Sequence, residues 1–374
     1  MAAPGGTRDR RGKQVMRQLF VLVPSLVPTA PIKGAVALCN ALAADFNITL
    51  VALKRSVDFP GYINPRIRQV RLGGAGGWRA YRSLLKDAGG RATTLSLSLC
   101  FSADVANFRV RRNAVTVASI RGHLPRTYRI DYGPAGRLLA FLHYFLIARL
   151  DRVVAMTEHM AWEFKAITGM TPLVIGNFVD EGQLEPLRTP IPPVASQQTP
   201  LPSELRYVFV GRLDPLKNPG QVIDAVCSMA ARGIACSLDI FGDGPLMAKL
   251  GSQVAARGCG KFVRIHGYVA NPWKFAAGAD CLVLPSMTEG VSRAAMEALY
   301  LGIPCVMRNV DSNGDLIRPG ENGELFSDDS ALCEAMKQAA LLGRQLSATR
   351  PVLLADSFRE AACVARFREV LRNL

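Results

Sequence analysis

Two glutamates eight positions apart, Glu289 and Glu297, stand in the segment EGVSRAAMEALYLG at residues 289–302. The apolar run CLVLP at 281–285 comes first, then a Ser-Met-Thr-Glu-Gly turn, then a segment rich in Ala, Met and Leu, so the order is strand, turn, helix. The first N–H groups of a helix lack intrahelical partners and carry the positive end of its dipole. Gly290, Val291 and Ser292 are therefore placed to hold a phosphate or a developing negative charge. If both glutamates are helical, eight residues make two turns and both face one ligand, Glu289 at the mouth of a cleft and Glu297 deeper. The plainer alternative is a dipole-satisfying surface carboxylate and a solvated or ion-paired mid-helix one.

Two further segments end strands in the same half of the chain: VFVGRLDPLK at 208–217, which supplies Arg212 and Lys217, and HGYV at 266–269, which supplies Tyr268 and Val269. Strand-end loops of an open parallel sheet gather over one crevice. The elements that would hold them are legible. Apolar runs at 205–211, 237–241, 263–266, 281–284 and 304–307 alternate with helical stretches such as 220–231. Strands separated by helices specify a doubly wound parallel sheet. The first half repeats the pattern, with strands at 19–24, 47–53, 95–101, 114–120 and 151–157 and helices at 34–44 and 158–167.

A chain of 374 residues exceeds one core, so two domains are expected. Six prolines in EPLRTPIPPVASQQTPLPSE mark a linker at 188–204 between domains 1–187 and 205–355. Residues 356–374 carry Phe358, Val364, Phe367 and Leu371 at helical spacing, an amphipathic helix. Nine cysteines, with no C-x-x-C pair and no Cys/His cluster at metal-ligand spacing, argue for a reducing compartment and against disulfides or structural zinc.

The net charge of +15 is one-sided: residues 1–200 hold 26 Lys and Arg against 12 Asp and Glu, or +14, and residues 201–374 hold 19 against 18, or +1. A basic half points to an anionic partner, either a membrane surface, a lipid-linked pyrophosphate or nucleic acid; a merely solubilising surface is the alternative. Five arginines lie at 66–82 around Trp78 and Tyr81, and Arg109, Arg111 and Arg112 follow. Such mixtures suit lipid headgroups or stacked bases, or form a plain mobile loop. The stretch LLAFLHYFLIARL at 138–150 is too short to span a bilayer and contains His143 and Arg149, so a buried or interfacial helix is expected. The basic N-terminus, followed by a strand broken by Pro24 and Pro28, does not read as a secretory signal.

The pieces GRLDPLKN at 211–218, FGDGP at 241–245, HGYV at 266–269, EGVSRAAME at 289–297, and GIPCV followed by GENGELF up to Phe326 together resemble the nucleotide-sugar-binding half of retaining glycosyltransferases of family 4. The resemblance implies the α/β GT-B fold, two Rossmann-like domains facing across a crevice, with the terminal helix crossing back onto the first. It implies donor contacts: Arg212 and Lys217 on the diphosphate, Glu297 on the ribose hydroxyls, Tyr268 and Val269 at the base. Glu289 is implied at the sugar as the catalytic carboxylate.

In the first domain the family's Gly-rich loop maps onto Gly34, with a simple strand-to-helix turn as the alternative, and the polar residue facing the acceptor hydroxyl or the sugar onto Arg121 or His123, with His123 the second candidate catalytic residue. No D-x-D motif is present and no metal or other cofactor is expected, since basic residues take the cation's part. The implied activity is transfer of a sugar, expected to come from a UDP-sugar, to a glycan or lipid-linked glycan by a cytoplasmic enzyme, either free or peripheral on the inner face of the membrane. Nucleic acid is not the expected partner. The rivals are a nucleotide-sugar epimerase or phosphorolytic enzyme of the same fold, and a non-catalytic sugar-nucleotide- or membrane-binding protein. Two departures from the family pattern are Arg293, after Gly290-Val-Ser, and Asp315, where a Glu is common.

Overall fold

The computed structural model of the chain describes residues 16–27, 29–54, 58–73, 77–188 and 204–374. The chain divides into two compact units, one of residues 1–179 with 357–374, the other of residues 180–356. In chain order the first runs β1 (Gln18–Val23), α1 (Ala30–Leu42), β2 (Asn47–Ala52), β3 (Arg68–Arg71), α2 (Gly77–Asp87), β4 (Thr94–Leu99), α3 (Phe101–Val110) and β5 (Val115–Ile120). It continues with α4 (Leu124–Tyr132), α5 (Pro134–Ile147), β6 (Arg152–Ala155), α6 (Glu158–Thr168) and β7 (Leu173–Val174). The second unit follows: α7 (Glu181–Leu184), β8 (Leu205–Val210), α8 (Pro219–Ala231), β9 (Cys236–Phe241), α9 (Met247–Ala256), β10 (Val263–Gly267) and α10 (Trp273–Ala276). It closes with β11 (Cys281–Leu284), α11 (Arg293–Tyr300), β12 (Cys305–Arg308), α12 (Asn313–Leu316), β13 (Gly323–Phe326) and α13 (Leu332–Leu346), before α14 (Glu360–Arg372) rejoins the first unit.

The first unit holds a seven-stranded sheet of order β3-β2-β1-β4-β5-β6-β7, every pair parallel. The alternation of β1 shows why both faces are covered. Leu19, Val21 and Val23 point into a core with Ala35, Leu38 and Leu42 of α1 and Cys363, Phe367 and Leu371 of α14. Phe20 and Leu22 point the other way, onto Tyr81 and Leu85 of α2 and Ala103, Ala106 and Val110 of α3. The second unit holds a six-stranded sheet of order β10-β9-β8-β11-β12-β13, also parallel throughout.

Several expectations need correction. α1 begins at Ala30, so Gly34 lies inside a helix; Pro31 suits a first-turn position because its missing N–H has no partner to lose there. Residues 66–82 are not a plain loop: they include β3 and the start of α2, whose inner side buries Tyr81 and Leu85. Arg109 lies in the last turn of a helix, α3. Residues 138–150 do lie mostly in a helix, α5, which buries one side. The unit boundary falls before Asp180, earlier than the Pro-rich stretch, since Tyr300 Oη donates to Glu185 Oε2 at 2.6 Å and Arg188 reaches the carbonyl of Arg350. Most of the 188–204 linker, and the basic N-terminus up to residue 15, lie outside the described residues.

Candidate functional site

In the second unit the sheet order reverses at β8, with β9 on one side and β11 on the other. At such a switch point the loops leaving two adjacent strands diverge and open a crevice at their carboxyl ends. The β8 loop is built first. Asp214 accepts from the backbone N–H of Lys217 through Oδ1 at 2.9 Å and from Arg212 Nε through Oδ2 at 2.8 Å. Asn218, in the left-handed region (φ 49°), then turns the chain into Pro219 at the start of α8.

The FGDGP turn after β9 lies directly under this loop. Leu213 N–H donates to Asp243 O and Leu246 N–H to Leu213 O, both at 2.9 Å. At Gly242 (φ 151°) a Cβ would sit 1.8 Å from the Gly211 carbonyl oxygen, so only glycine lets the two backbones approach.

From β11, Glu289 projects back onto the β8 loop. Lys217 Nζ donates to its Oε1 at 2.5 Å and Ser286 Oγ donates to the same oxygen at 2.7 Å. The Glu289 side chain is 6% exposed, and its Oε2 has no hydrogen-bond partner among the described residues. Asp311 Oδ2 accepts from Glu289 N–H at 2.9 Å and from Thr288 Oγ1 at 2.6 Å, fixing the turn. Met287 N–H donates to Leu216 O at 2.7 Å, a direct backbone link between the two loops. Arg212, by contrast, is 72% exposed and, among the described residues, uses only Nε, leaving its terminal nitrogens available as a fork.

Glu289 is not helical. α11 starts at Arg293 with Ser292 as N-cap, its hydroxyl accepting from Ala295 N–H at 3.4 Å. The two-turn relation expected for Glu289 and Glu297 is therefore wrong, and Gly290 and Val291 precede the helix instead of forming its first turn. Glu297 does lie on α11, with both oxygens engaged: Oε1 accepts from Arg293 Nε at 2.9 Å and Oε2 from the buried Trp273 Nε1 at 2.7 Å. A carboxylate has about four lone-pair directions, so Glu297 keeps capacity for two more donors. No side chain hydrogen-bonds to both Glu289 and Glu297 among the described residues.

Beyond β10, Tyr268 is 68% exposed and Val269 after it is half-buried. His266 stacks on Phe241 with centroids 4.4 Å apart and its Nε2 lies 2.6 Å from Asp239 Oδ1. Burial pushes the Asp239 carboxyl up, but hydrogen bonds from Arg264 and His266 outweigh it, and its pKa is lowered. The residues that sequence reasoning missed are Asp214, Trp273, Ser286 and Asp311. Asp214, inside the GRLDPLKN block, and Ser286, in the Ser-Met-Thr-Glu-Gly turn, left a local trace.

In the first unit the structure brings Gly34, Arg121 and Asn177 together. Arg121 Nη1 donates to Asn177 Oδ1 at 3.1 Å, and a Cβ on Gly34 would lie 3.3 Å from that oxygen and 3.4 Å from Nη1. Burial lowers the Arg121 pKa to about 10, opposed by Cys100 and Cys363, so the guanidinium stays charged at neutral pH. His123 is not solvated in a basic loop: its side chain is buried, with Nδ1 3.5 Å from Glu163 Oε2 and its ring against His159.

Residues 194–346 match the family model described as Glycosyl transferases group 1. The second unit belongs to the glycosyl transferases group 1 family. Among relatives of the chain, a GDP-mannose-dependent alpha-(1-6)-phosphatidylinositol dimannoside mannosyltransferase of Mycobacterium tuberculosis is 25% identical over 226 residues, 60% of this chain and 54% of that protein. A lipopolysaccharide 1,6-galactosyltransferase of Salmonella typhimurium is 30% identical over 126 residues, 32% of this chain and 35% of the other. The chain thus spans about half of the first relative and about a third of the second.

Among solved structures, sucrose-phosphate synthase from Thermosynechococcus elongatus superimposes with a TM-score of 0.76 at 16% identity, covering 96% of this chain and 98% of that one. Anabaena Alr3699/HepE in complex with UDP and glucose does so with a TM-score of 0.71 at 16% identity, covering 96% and 100%. At these identities the likeness is one of fold, and the fold is GT-B: two parallel-sheet, Rossmann-like domains.

Proposed function

We propose that the chain is a retaining glycosyltransferase that moves a sugar from a nucleotide diphosphate sugar, a UDP-sugar in our reading, to a glycan or lipid-linked glycan. The observation that carries this is the Lys217–Glu289 pair, 2.5 Å apart at the switch point of the group 1 domain. As the bond from the anomeric carbon to the diphosphate lengthens, negative charge grows on the phosphate and positive charge on the sugar. Such a site must supply a cation to one and a carboxylate to the other.

Lys217 and the open fork of Arg212 meet the first need; Glu289 Oε2, which no donor among the described residues occupies, meets the second. Glu297, oriented from both sides by Arg293 and Trp273, accepts from the ribose diol, and the turn at Tyr268 and Val269 holds the base. On the acceptor side, Arg121 is the residue we assign, with Gly34 leaving room beside it; His123, tied to Glu163, supports that position from within. The base is read as uracil because a structural neighbour was solved with UDP and glucose, although a sequence relative is named for GDP-mannose.

Titration calorimetry with UDP, GDP and ADP tests this reading. Binding of UDP in preference to the others is the expected result. Binding of none would remove both the transferase and the epimerase readings, and preferred binding of GDP would reassign the donor.

The first unit's basic surface supports an anionic acceptor surface, with the enzyme peripheral on a cytoplasmic membrane face. The structure joins its two arginine clusters: Trp78 on α2 has Arg79 and Arg109 guanidinium groups 5.6 and 5.4 Å from its ring centre. Each exposed arginine near an anionic leaflet adds about 1 kcal/mol of attraction. Among the described residues, no helix is long and apolar enough to cross a membrane.

A further inference from the structure

α5 is apolar on two opposite sides. Its inner side buries Ala140, His143, Tyr144 and Ile147. There His143 Nε2 lies 2.9 Å from Asp104 Oδ2 of α3, and its Nδ1 lies 2.9 Å from Tyr128 Oη of α4. Tyr144 Oη donates to Glu163 Oε1 of α6 at 2.5 Å. These buried polar contacts fix the helix about its own axis, so what it shows on the other side is held there. That other side carries Leu138, Phe141, Leu142 and Phe145, at spacings of three, four and seven, all exposed, with Leu138 at 64% and Leu142 at 58%. A helix apolar all round is normally buried, and a contiguous apolar stripe left in water marks a surface meant to be covered.

The charge around the stripe indicates what covers it. Arg129 on α4, Arg137 on α5 and Arg149 just beyond it are exposed, and Asp131 is the exposed acid in the α4–α5 hairpin. α3, which packs on α5 through Asp104, also meets α2, where Arg79 of α2 and Arg109 of α3 lie over the Trp78 ring and Arg82 is exposed. A second copy of this chain docked on the same face would set arginine against arginine. An anionic lipid leaflet satisfies both parts, headgroups pairing with the arginines while the leucine and phenylalanine side chains enter the acyl boundary.

We infer that the outer stripe of α5 is a membrane-inserting surface selective for anionic bilayers. The inference rests on the peripheral-enzyme reading above only for its partner, and it adds apolar insertion to the electrostatic attraction that the basic clusters supply.

The test uses the full chain, with vesicles of phosphatidylcholine alone or mixed with phosphatidylglycerol. Wild type should co-sediment with the mixed vesicles only. A Leu138→Ser, Leu142→Ser, Phe145→Ser variant should lose at least about tenfold in vesicle affinity with no fall in melting temperature, because the three side chains are already in water. A Leu142→Trp variant should blue-shift its fluorescence on adding mixed vesicles, a signal that surface attraction alone does not give.

Unchanged binding by the triple variant, or no blue shift, would overturn insertion. Absence of wild-type binding to mixed vesicles would overturn it too, as would a wild-type dimer that the triple variant converts to monomer, which would assign the stripe to a second copy. UDP calorimetry on the same preparations separates the two proposals. Intact UDP binding without vesicle binding removes only the membrane surface; vesicle binding without any nucleotide binding removes only the transferase.

Discussion

At the strand ends of the second unit, charges come in fitted pairs: Lys217 with Glu289 at 2.5 Å, Arg212 with Asp214 at 2.8 Å, Arg293 with Glu297 at 2.9 Å. In the first unit Arg79, Arg82, Arg109, Arg129 and Arg137 are exposed, and no ion pair joins them to a carboxylate among the described residues. Both units are doubly wound parallel sheets, so the contrast does not come from the fold. Pairs fixed during folding present a ligand with charges already in place, and that costs no reorganisation when the reaction occurs. Loose surface charge acts at a distance and is screened by salt over about 8 Å at physiological ionic strength, so it suits gathering an anionic surface better than shaping a transition state. Mutating one residue from either set should therefore give qualitatively different losses.

The largest loss is expected at Glu289. Glu289→Gln keeps the size of the side chain, so Lys217 and Ser286 retain an oxygen to face, but it removes the charge offered to the sugar. Turnover should fall by at least about a hundredfold while UDP affinity measured by calorimetry stays nearly unchanged. A small fall in turnover would mean that the Lys217–Glu289 pair is structural and that the contrast between the units has no catalytic content.

Glu297→Ala should act on binding instead. It removes the acceptor of the ribose hydroxyls and leaves Trp273 Nε1 buried without its partner, so UDP affinity should weaken by about tenfold. Arg121→Gln in the first unit provides the contrast: UDP affinity should hold and the KM for acceptor should rise. Equal, small changes in both variants would sink the division between a donor-holding and an acceptor-holding unit.

Some of this was legible in the residues and some was not, for identifiable reasons. The β1 and β8 runs are continuous and β-branched or aromatic, as strands covered on both faces must be, and the two parallel sheets follow from the alternation of such runs with helices. α2 was hidden because glycines and arginines crowd its start; the Tyr81 and Leu85 positions that bury its inner side are too few to stand out against them. Glu289 and Lys217 belong to recognisable segments, yet their contact joins residues 72 positions apart. Trp273 and Asp311 have no local signal at all, because their roles depend on side chains brought near only by the sheet order. The helical spacing drawn from Glu289 to Glu297 failed because Ser292 caps the helix between them.

The smallest predicted effect compares matched carboxylates in the two units. Asp239 sits between Arg264 and His266; Asp151 accepts from Arg91 and from the N–H and hydroxyl of Thr116. Burial pushes each carboxyl up, and in each the hydrogen bonds outweigh it, so both pKa values are lowered from the ordinary 3.8. The unfolded chain then takes up protons first as pH drops below about 3.8, and the stability these groups contribute at neutral pH is lost as pH falls through their folded values. Asp239→Asn should therefore narrow the difference between urea midpoints at pH 7 and pH 3, an effect on the order of 1 kcal/mol or less after solvent screening. Asp151→Asn should narrow it in the same direction. If neither substitution changes the acid sensitivity, the arginine contacts of these two aspartates are surface pairings with no net effect. The distinction between the units would then rest on the strand-end pairs alone.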